Sequence, residues 1–285
     1  MFKSIFVSMY MMAATAITVF ATISIINSGD FITWGGVILT TAPFMLVISW
    51  VMLLKSTART SARFPLLIVL AVAGVIAAAW GYAEGGSLLA PLLALAGLAG
   101  FLVYAYWYSS FPDRASRQLQ PGQSLPEFEL LDIAGETVLS STLMDRPVIW
   151  MFYRGNWCPL CMAQIKELAG QYRQLQEMGV RVALISPQPH KFTVGLARKF
   201  DVTFDFLTDE KNRAAHVLGI AHLNGLPMGM QALGYDSETV LPTVIITDTG
   251  GRILWAHETD NYRIRPEPGQ FLAVLRSGEI REIAS

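Results

Sequence analysis

The chain has 285 residues, of which 53% are hydrophobic and only 15% are charged, and its formal net charge is −1. This composition excludes a disordered chain, the small net charge provides no basic field for nucleic acid, and two cysteines are too few for a secreted disulfide scaffold. Residues 1–120 carry nine charged side chains, whereas the rest of the chain carries thirty-four. We therefore predict a membrane domain joined to a soluble domain.

Four apolar runs without charged side chains occupy the first part of the chain. They cover about residues 5–26, 31–54, 66–83 and 88–108. Each run is close to the length of about 20 residues that a helix needs to cross the hydrocarbon of a bilayer. The pattern predicts a membrane all-α domain of four transmembrane helices over residues 1–110, in which the first helix is retained rather than cleaved as a signal peptide.

The segments between these runs differ in charge. Basic residues precede the first run, separate the second from the third, and follow the fourth: Lys3, Lys55, Arg59, Arg63, Arg114 and Arg117. The other two loops contain only Asp30 and Glu84. Because Lys and Arg prefer the cytoplasmic side of a membrane, we predict a multi-pass protein of the bacterial inner or plasma membrane whose soluble domain faces the cytoplasm.

A proline-containing segment, residues 111–126, is predicted to link the membrane domain to a second domain at 127–285. Short apolar runs typical of strands alternate there with segments whose apolar residues have the spacing of a helix. Strands are predicted at 128–131, 147–153, 180–186, 204–207, 244–247 and 253–256, and helices at 159–178, 192–200, 210–218 and 268–275. This order predicts a three-layer α/β domain.

Cys158 and Cys161 are separated by two residues and follow a predicted buried strand at the start of a helix. The positive end of the helix dipole acidifies a thiol there, and the thiolate is the nucleophile in disulfide exchange. Arg154 would add positive potential. The pair could also be half of a zinc site or two structural thiols, but there is no second such pair and no nearby histidine. Redox chemistry is the favoured interpretation.

The remaining candidates are weaker. The four histidines, His190, His216, His222 and His257, lack metal-binding spacing, so we predict no metal and no cofactor. His190 is interpreted as a loop or helix-start residue, with proton transfer as the alternative. No ionisable residue lies within an apolar run, which disfavours a transporter.

Residues 121–280 resemble the peroxiredoxin-like branch (alkyl hydroperoxide reductase/thiol-specific antioxidant, redoxin) of the thioredoxin superfamily. The resemblance rests on three motifs: Phe152-Tyr153-Arg154-Gly155-x-Trp157-Cys158-Pro159-x-Cys161, Ser186-Pro187-Gln188 and Pro242-Thr243. It implies a thioredoxin-like fold in which Trp157 packs beside the cysteines. It also implies that Pro242 is a cis-proline facing them, and that the backbone of its neighbour Leu241 docks the substrate.

The resemblance leaves the identity of the nucleophile open. Thioredoxins attack with the first cysteine, here Cys158, whereas the peroxiredoxin pattern would place its threonine at Cys158, its reactive cysteine at Cys161 and its arginine at Leu241. We predict that Cys158 attacks, because we expect it to be exposed ahead of the helix, and that Cys161 resolves. The missing threonine and arginine favour dithiol–disulfide exchange over efficient peroxidase action.

The sequence thus predicts a membrane-anchored thiol oxidoreductase that reduces disulfides or hydroperoxides through its two cysteines. The resemblance implies a thioredoxin- or glutathione-type reductant. The alternative is a non-catalytic redox sensor or assembly factor, in which the helices bind a membrane-protein partner and the cysteines act as a switch. Repeated turnover would distinguish the enzyme from the sensor.

Overall fold

The computed structural model describes residues 2–54, 57–111, 116 and 118–283. Within these ranges the chain forms two compact units. The helical unit contains residues 2–54 and 61–110, and the α/β unit contains residues 57–60 together with the described residues from 111 onward. Of the residues on which the predicted topology and linker depend, Lys55, Pro112, Arg114 and Arg117 lie outside the described ranges.

The helical unit consists of four helices that coincide closely with the four predicted apolar runs. They are α1 (Phe2–Ser28), α2 (Phe31–Leu54), α3 (Pro65–Ala83) and α4 (Leu89–Leu102), the last continuing as a π-helical segment over Val103–Tyr108. All four are long and apolar enough to cross a membrane. The prediction of four long apolar helices is confirmed.

Small residues bring the helices of this unit close together. A Cβ atom added at Gly36 of α2 would lie only 2.5 Å from the carbonyl oxygen of Gly74 on α3. Thr18 of α1 and Thr41 of α2 share a hydrogen bond of 2.7 Å. The ring centroids of Phe44 and Tyr104 lie 4.6 Å apart. Glycine backbone, hydroxyl groups and aromatic rings thus all contribute to the contacts between the helices.

The α/β unit is built on a seven-stranded sheet with the order β2-β1-β5-β4-β3-β8-β9. The strands of the unit are β1 (Glu129–Leu131), β2 (Thr137–Leu139), β3 (Val148–Phe152), β4 (Arg181–Ser186), β5 (Asp205–Thr208), β6 (Ala221–His222), β7 (Thr239–Val240), β8 (Thr243–Thr247) and β9 (Ile253–Glu258). Strands β3, β4 and β5 are parallel to one another. Strand β8 pairs antiparallel with β3 and forms an antiparallel hairpin with β9, and β6 pairs with β7 separately.

Five helices complete this unit: α5 (Pro159–Gly170), α6 (Tyr172–Glu177), α7 (His190–Ala197), α8 (Arg213–Val217) and α9 (Pro268–Ile283). Helix α7 packs against β5, α8 against β1, and α9 against β8 and β9. All five residues of β3 are buried, and Trp150 lies in the core with no exposed surface. The β3–α5–β4 crossover and the β8–β9–α9 segment give the thioredoxin topology, which confirms the predicted α/β class.

Two predicted helices differ from the observed ones. The single helix predicted over 159–178 is divided at Gln171, where the backbone leaves the helical region between α5 and α6. The helix predicted over 210–218 begins as a 3₁₀ turn, because Lys211 and Asn212 both have φ of 57°. Hydrophobic periodicity does not reveal a local backbone reversal of this kind.

Candidate active site

The two cysteines lie where the central strand β3 passes into helix α5. Cys158 is the N-cap residue of α5 and Pro159 is its first residue, where proline loses no helical hydrogen bond. The turn before them depends on Gly155, which has φ of +143°. A Cβ atom at this position would lie 2.6 Å from Nε1 of Trp157. Glycine therefore lets the turn close against the tryptophan.

The two thiols contact each other directly. The Sγ atoms of Cys158 and Cys161 lie 2.6 Å apart, with the Cys161 thiol as donor. The backbone N–H of Cys161 also donates to Sγ of Cys158, over 3.4 Å. The side chains are buried, with 3% and 1% of their surface exposed. Sγ of Cys158 thus accepts two hydrogen bonds at the positive end of a helix, an arrangement that favours a thiolate.

Two buried guanidinium groups add positive charge. Nη2 of Arg265 lies 3.8 Å from Sγ of Cys161. Arg154 donates to the carbonyl oxygen of Gly225 and places its guanidinium carbon 4.8 Å from the centre of a Trp157 ring. Arg154 and Arg265 are 4% and 5% exposed, so water screens their charges weakly.

The pKa values of the two cysteines shift in opposite directions. Burial tends to raise the pKa of Cys158, but the hydrogen bond from Cys161 and the charges of Arg265 and Arg154 outweigh it and lower this pKa to about 6. Burial and the neighbouring Cys158 sulfur raise the pKa of Cys161 well above its usual value. At neutral pH the site therefore holds a thiolate at Cys158 and a protonated thiol at Cys161.

A set of buried polar side chains holds the turn that precedes the cysteines. Oε1 of Gln188 accepts from the backbone N–H of Asn156 over 2.8 Å, and its Nε2 donates to the hydroxyl of Tyr153 over 3.1 Å. The hydroxyl of Tyr235 donates to Oδ1 of Asn156, and the hydroxyl of Thr239 donates to the carbonyl oxygen of Arg154. These bonds connect the turn to the segments after β4 and around β7.

The structure places Pro242 at the same end of the sheet as the cysteines, because its successor Thr243 pairs with Phe152 at the carboxyl end of β3. The prediction of a cis-proline is wrong, since the peptide bond before Pro242 is trans. Trans is the preferred form even before proline. The N–H of Leu241 donates to Ile220, and its carbonyl oxygen accepts from the hydroxyl of Thr243. Substrate docking at Leu241 stays a prediction.

The expected exposure of Cys158 is also wrong. Both thiols are buried. What distinguishes the cysteines is hydrogen bonding and charge rather than access. The preference for Cys158 as the nucleophile therefore rests on its lowered pKa.

The histidines have local partners. Nδ1 of His190 lies 3.1 Å from the hydroxyl of Thr208, and Nε2 of His216 lies 2.7 Å from a carboxylate oxygen of Glu238. Within the described ranges, no group of three or more His, Cys, Asp and Glu side chains is placed to hold a metal ion.

Sequence reasoning missed Arg265 and the role of Gln188. Arg265 lies 104 residues from Cys161, in the segment between β9 and α9, and no motif surrounds it. Gln188 belonged to a motif that supported the family resemblance, but nothing in the sequence showed that its amide would hold the turn at Asn156. Arg265 lies in a polar and charged stretch of the sequence, residues 257–270, so nothing there distinguishes it from its neighbours.

Residues 121–256 match the AhpC/TSA family. Peroxiredoxin Q from the chloroplast of Populus jackii is 29% identical over 140 residues, which are 48% of this chain and 64% of that protein. The thiol-disulfide oxidoreductase ResA of Geobacillus thermodenitrificans is 23% identical over 133 residues, 46% of this chain and 73% of that protein. The match thus spans less than two thirds of the Populus relative.

Among solved structures, the peroxidoxin BcpB from Mycobacterium tuberculosis superposes with a TM-score of 0.46 at 22% sequence identity. The superposition covers 56% of this chain and 97% of that one. The match to the AhpC/TSA family includes β1 to β5, both cysteines and most of the β8–β9 hairpin, whereas it excludes the helical unit and the segment that carries Arg265.

Proposed function

We propose that the protein is a membrane-anchored thiol oxidoreductase that reduces disulfides or hydroperoxides with Cys158 and Cys161. The match of residues 121–256 to the AhpC/TSA family supports this class of activity. The observation that carries the proposal is the contact of 2.6 Å between the two sulfur atoms, combined with the opposite shifts of their pKa values. One sulfur is ready to attack, and the other is in position to resolve the product.

With a disulfide substrate, the Cys158 thiolate forms a bond to one sulfur atom and expels the other as a thiolate. Cys161 then loses its proton and attacks Sγ of Cys158, which releases the second substrate sulfur as a thiol. Two electrons have passed to the substrate, and the enzyme is left with a Cys158–Cys161 disulfide. The proximity of the thiols makes the second step intramolecular, which accelerates it strongly.

With a hydroperoxide, the same thiolate attacks the terminal oxygen, the O–O bond breaks, and an alcohol leaves after it gains a proton. Cys161 then displaces water from the resulting sulfenic acid and forms the same disulfide. Arg154 and Arg265 would stabilise the negative charge that develops on the leaving oxygen. The burial of Cys158 favours small substrates.

The oxidised enzyme needs two electrons before its next turnover. A dithiol reductant of the thioredoxin type, or glutathione, would supply them by thiol–disulfide exchange with the buried pair. A cytoplasmic position suits this role, because that compartment keeps such reductants reduced. The enzyme would then act as a reductant for substrates at or near the membrane.

The proposed anchoring rests on the four apolar helices and on the position of residues 57–60. These residues connect α2 to α3, yet they belong to the α/β unit. With four spanning helices, the N-terminus, the loop between α2 and α3 and the segment after α4 would all be on one side of the membrane. The basic residues Lys3, Arg59 and Arg63 support a cytoplasmic location for that side.

The chemistry is tested on the full chain in detergent micelles, with a thioredoxin system, NADPH and either an organic hydroperoxide or a protein disulfide. We expect turnover with at least one substrate, and Cys158→Ser should reduce it to the uncatalysed background. Cys161→Ser should react once and retain a mixed disulfide or sulfenic acid at Cys158. Wild-type turnover by Cys158→Ser would contradict the proposal, and a single reaction without regeneration would support the sensor instead.

The topology is tested by labelling, with exposed reporters because the native thiols are buried. In a chain with Cys158→Ser and Cys161→Ser, one variant carries Ser87→Cys in the loop after α3 and the other carries Ser277→Cys on α9; both serines are exposed. A membrane-impermeant maleimide should label Ser87→Cys in intact cells and Ser277→Cys only after lysis. The reverse result would place the α/β unit outside the cytoplasm.

A further inference from the structure

Arg265 is a buried charge without a protein counter-ion. Only 5% of its surface is exposed, and an arginine side chain does not lose its proton in a protein. Among the described residues no carboxylate lies within ion-pair distance of it, and its Nε has no hydrogen-bond partner. Burying a charge without an opposite one is costly. The position of Arg265 therefore calls for an anion at the end of its guanidinium group.

The contact of that guanidinium identifies the anion. Nη2 of Arg265 donates to Sγ of Cys161 over 3.8 Å, and this sulfur in turn contacts Sγ of Cys158. The positive charge of Arg265 also opposes the effect of burial on the pKa of both cysteines. The Cys158 thiolate, which accepts the hydrogen bond of the Cys161 thiol, supplies the missing negative charge.

Arg59 holds the segment on which Arg265 lies. Its Nε donates to the carbonyl oxygen of Arg265 over 3.3 Å, and one of its terminal nitrogens lies 3.4 Å from the carbonyl oxygen of Pro266. The same guanidinium forms a bidentate pair with Glu167, with distances of 3.3 and 2.6 Å. Glu167 lies on α5, the helix that begins at the cysteines. Arg59 thus connects the helix of the dithiol to the backbone of Arg265.

A second bond strengthens this connection. The backbone N–H of Thr60 donates to the carbonyl oxygen of Arg263 over 3.1 Å, two residues before Arg265. The loop of residues 57–60 therefore contacts the Arg265 segment through both a side chain and the backbone. Because this loop joins α2 to α3, a fragment that begins at residue 121 would lack the contact.

We infer that Arg265 is a further catalytic residue, whose guanidinium stabilises the thiolate of the Cys158–Cys161 pair, and that Arg59 is the positioning residue that holds it there. The effect on turnover rests on the proposed function, whereas the stabilisation of the thiolate does not. Formation of the disulfide removes the negative charge and leaves Arg265 without a counter-ion. Arg265 therefore favours the reduced state and makes the pair a stronger oxidant.

The test is the pH dependence of alkylation of the reduced full chain by iodoacetamide in detergent, which requires no substrate. Arg265→Gln should move the midpoint upward by about one pH unit, so that alkylation at pH 6 is slowed several-fold. It should also lower the reduction potential of the pair. The matched control is Arg276→Gln, an exposed arginine on α9, which should change neither quantity.

Because Arg265 is buried, its removal can also affect folding, and Arg265→Lys separates the two effects. Lysine keeps the charge, so we expect this variant to retain a midpoint below that of Arg265→Gln. Arg59→Ala should produce an upward shift smaller than that of Arg265→Gln, while Arg63→Ala, an exposed arginine of the same interhelical segment, should leave the midpoint unchanged. Circular dichroism confirms that each variant is folded.

An unchanged midpoint in folded Arg265→Gln would overturn the inference for Arg265, and an unchanged midpoint in Arg59→Ala would overturn the positioning role. If wild-type protein shows no turnover but the midpoint shifts as expected, the proposed function fails and the inference stands. If wild-type protein turns over and the midpoint does not shift, only the inference fails.

Discussion

The two compact units of this protein differ in the side chains that they bury and in those that they expose. The α/β unit buries large apolar residues such as Ile149 and Leu184, which have no exposed surface. The helical unit buries many small residues together with aromatic ones such as Phe44, and it exposes Leu53 and Ile76 to 81% and 64%. Removal of apolar surface from water accounts for the first pattern. The second pattern is the one expected of helices that pack against one another in an apolar environment.

The largest expected effect comes from placing a charge on equally exposed sites of the two units. Ile76 in the middle of α3 is 64% exposed, and Leu223 in the α/β unit is 67% exposed. Ile76→Arg should cost about 3 kcal/mol of membrane insertion, because an arginine at the centre of a spanning helix is poorly solvated by lipid. Leu223→Arg should change the free energy of unfolding by less than about 0.5 kcal/mol, because substitutions at exposed sites in water usually have small effects.

The measurement for this pair is the fraction of each variant that resists extraction of membranes with alkaline carbonate. Thermal unfolding of the α/β unit, followed through its tryptophan fluorescence, is the second readout. Equal behaviour of the two arginine variants would show that the helical surface does not face lipid, and it would remove the basis of the comparison.

A smaller effect is expected from adding one methyl group at adjacent glycines of α2. At Gly36 the new Cβ would lie 2.5 Å from the Gly74 carbonyl oxygen and 2.7 Å from the Ala78 nitrogen, both of them backbone atoms of α3. Gly36→Ala should therefore destabilise the helical unit by about 2 kcal/mol. Gly35 has nothing within 4 Å of the corresponding position. Gly35→Ala should stabilise slightly, because alanine favours helices.

Chemical denaturation in detergent, followed by circular dichroism, measures both glycine variants. Opposite signs for the neighbouring substitutions would show that backbone contact between α2 and α3 sustains the helical unit. A destabilisation of Gly35→Ala as large as that of Gly36→Ala would show that the contact is not specific.

The smallest effect, about 1.4 kcal/mol for each pH unit, concerns the ionisation of the thiols. It distinguishes the two units because both cysteines lie in the α/β unit. The lowered pKa of Cys158, about 6, means that its thiolate dominates above this pH and is lost below it. Alkylation of reduced protein should be nearly constant above pH 7 and should fall about tenfold per pH unit below pH 5. Mass spectrometry of the alkylated peptide should locate the label at Cys158. A midpoint near pH 9 would contradict the expected thiolate.

Much of the fold could be predicted because its signals are local. The apolar runs located all four helices of the helical unit, and the pattern of strands and helices predicted the α/β class. Short elements escaped: β2 has only three residues and β6 and β7 have two each, too few for an alternating pattern. The break at Gln171 escaped as well, because the apolar spacing continues across it.

The sequence by itself determined that a dithiol stands between a buried strand and a helix. Spacing, Pro159 and the helix dipole are properties of one short segment, and they do not depend on the rest of the chain. The same holds for the four apolar helices, whose length and composition are sufficient to identify them.

Only the tertiary structure decided which charges surround the thiols and which sulfur ionises. Arg265 and Arg59 reach the α5 segment from positions 104 and 108 residues away from their partners Cys161 and Glu167. It also decided that the peptide bond before Pro242 is trans and that both thiols are buried. The physical reason is that electrostatic interactions and burial depend on distance in space, and folding brings together groups whose separation along the chain carries no periodic signal.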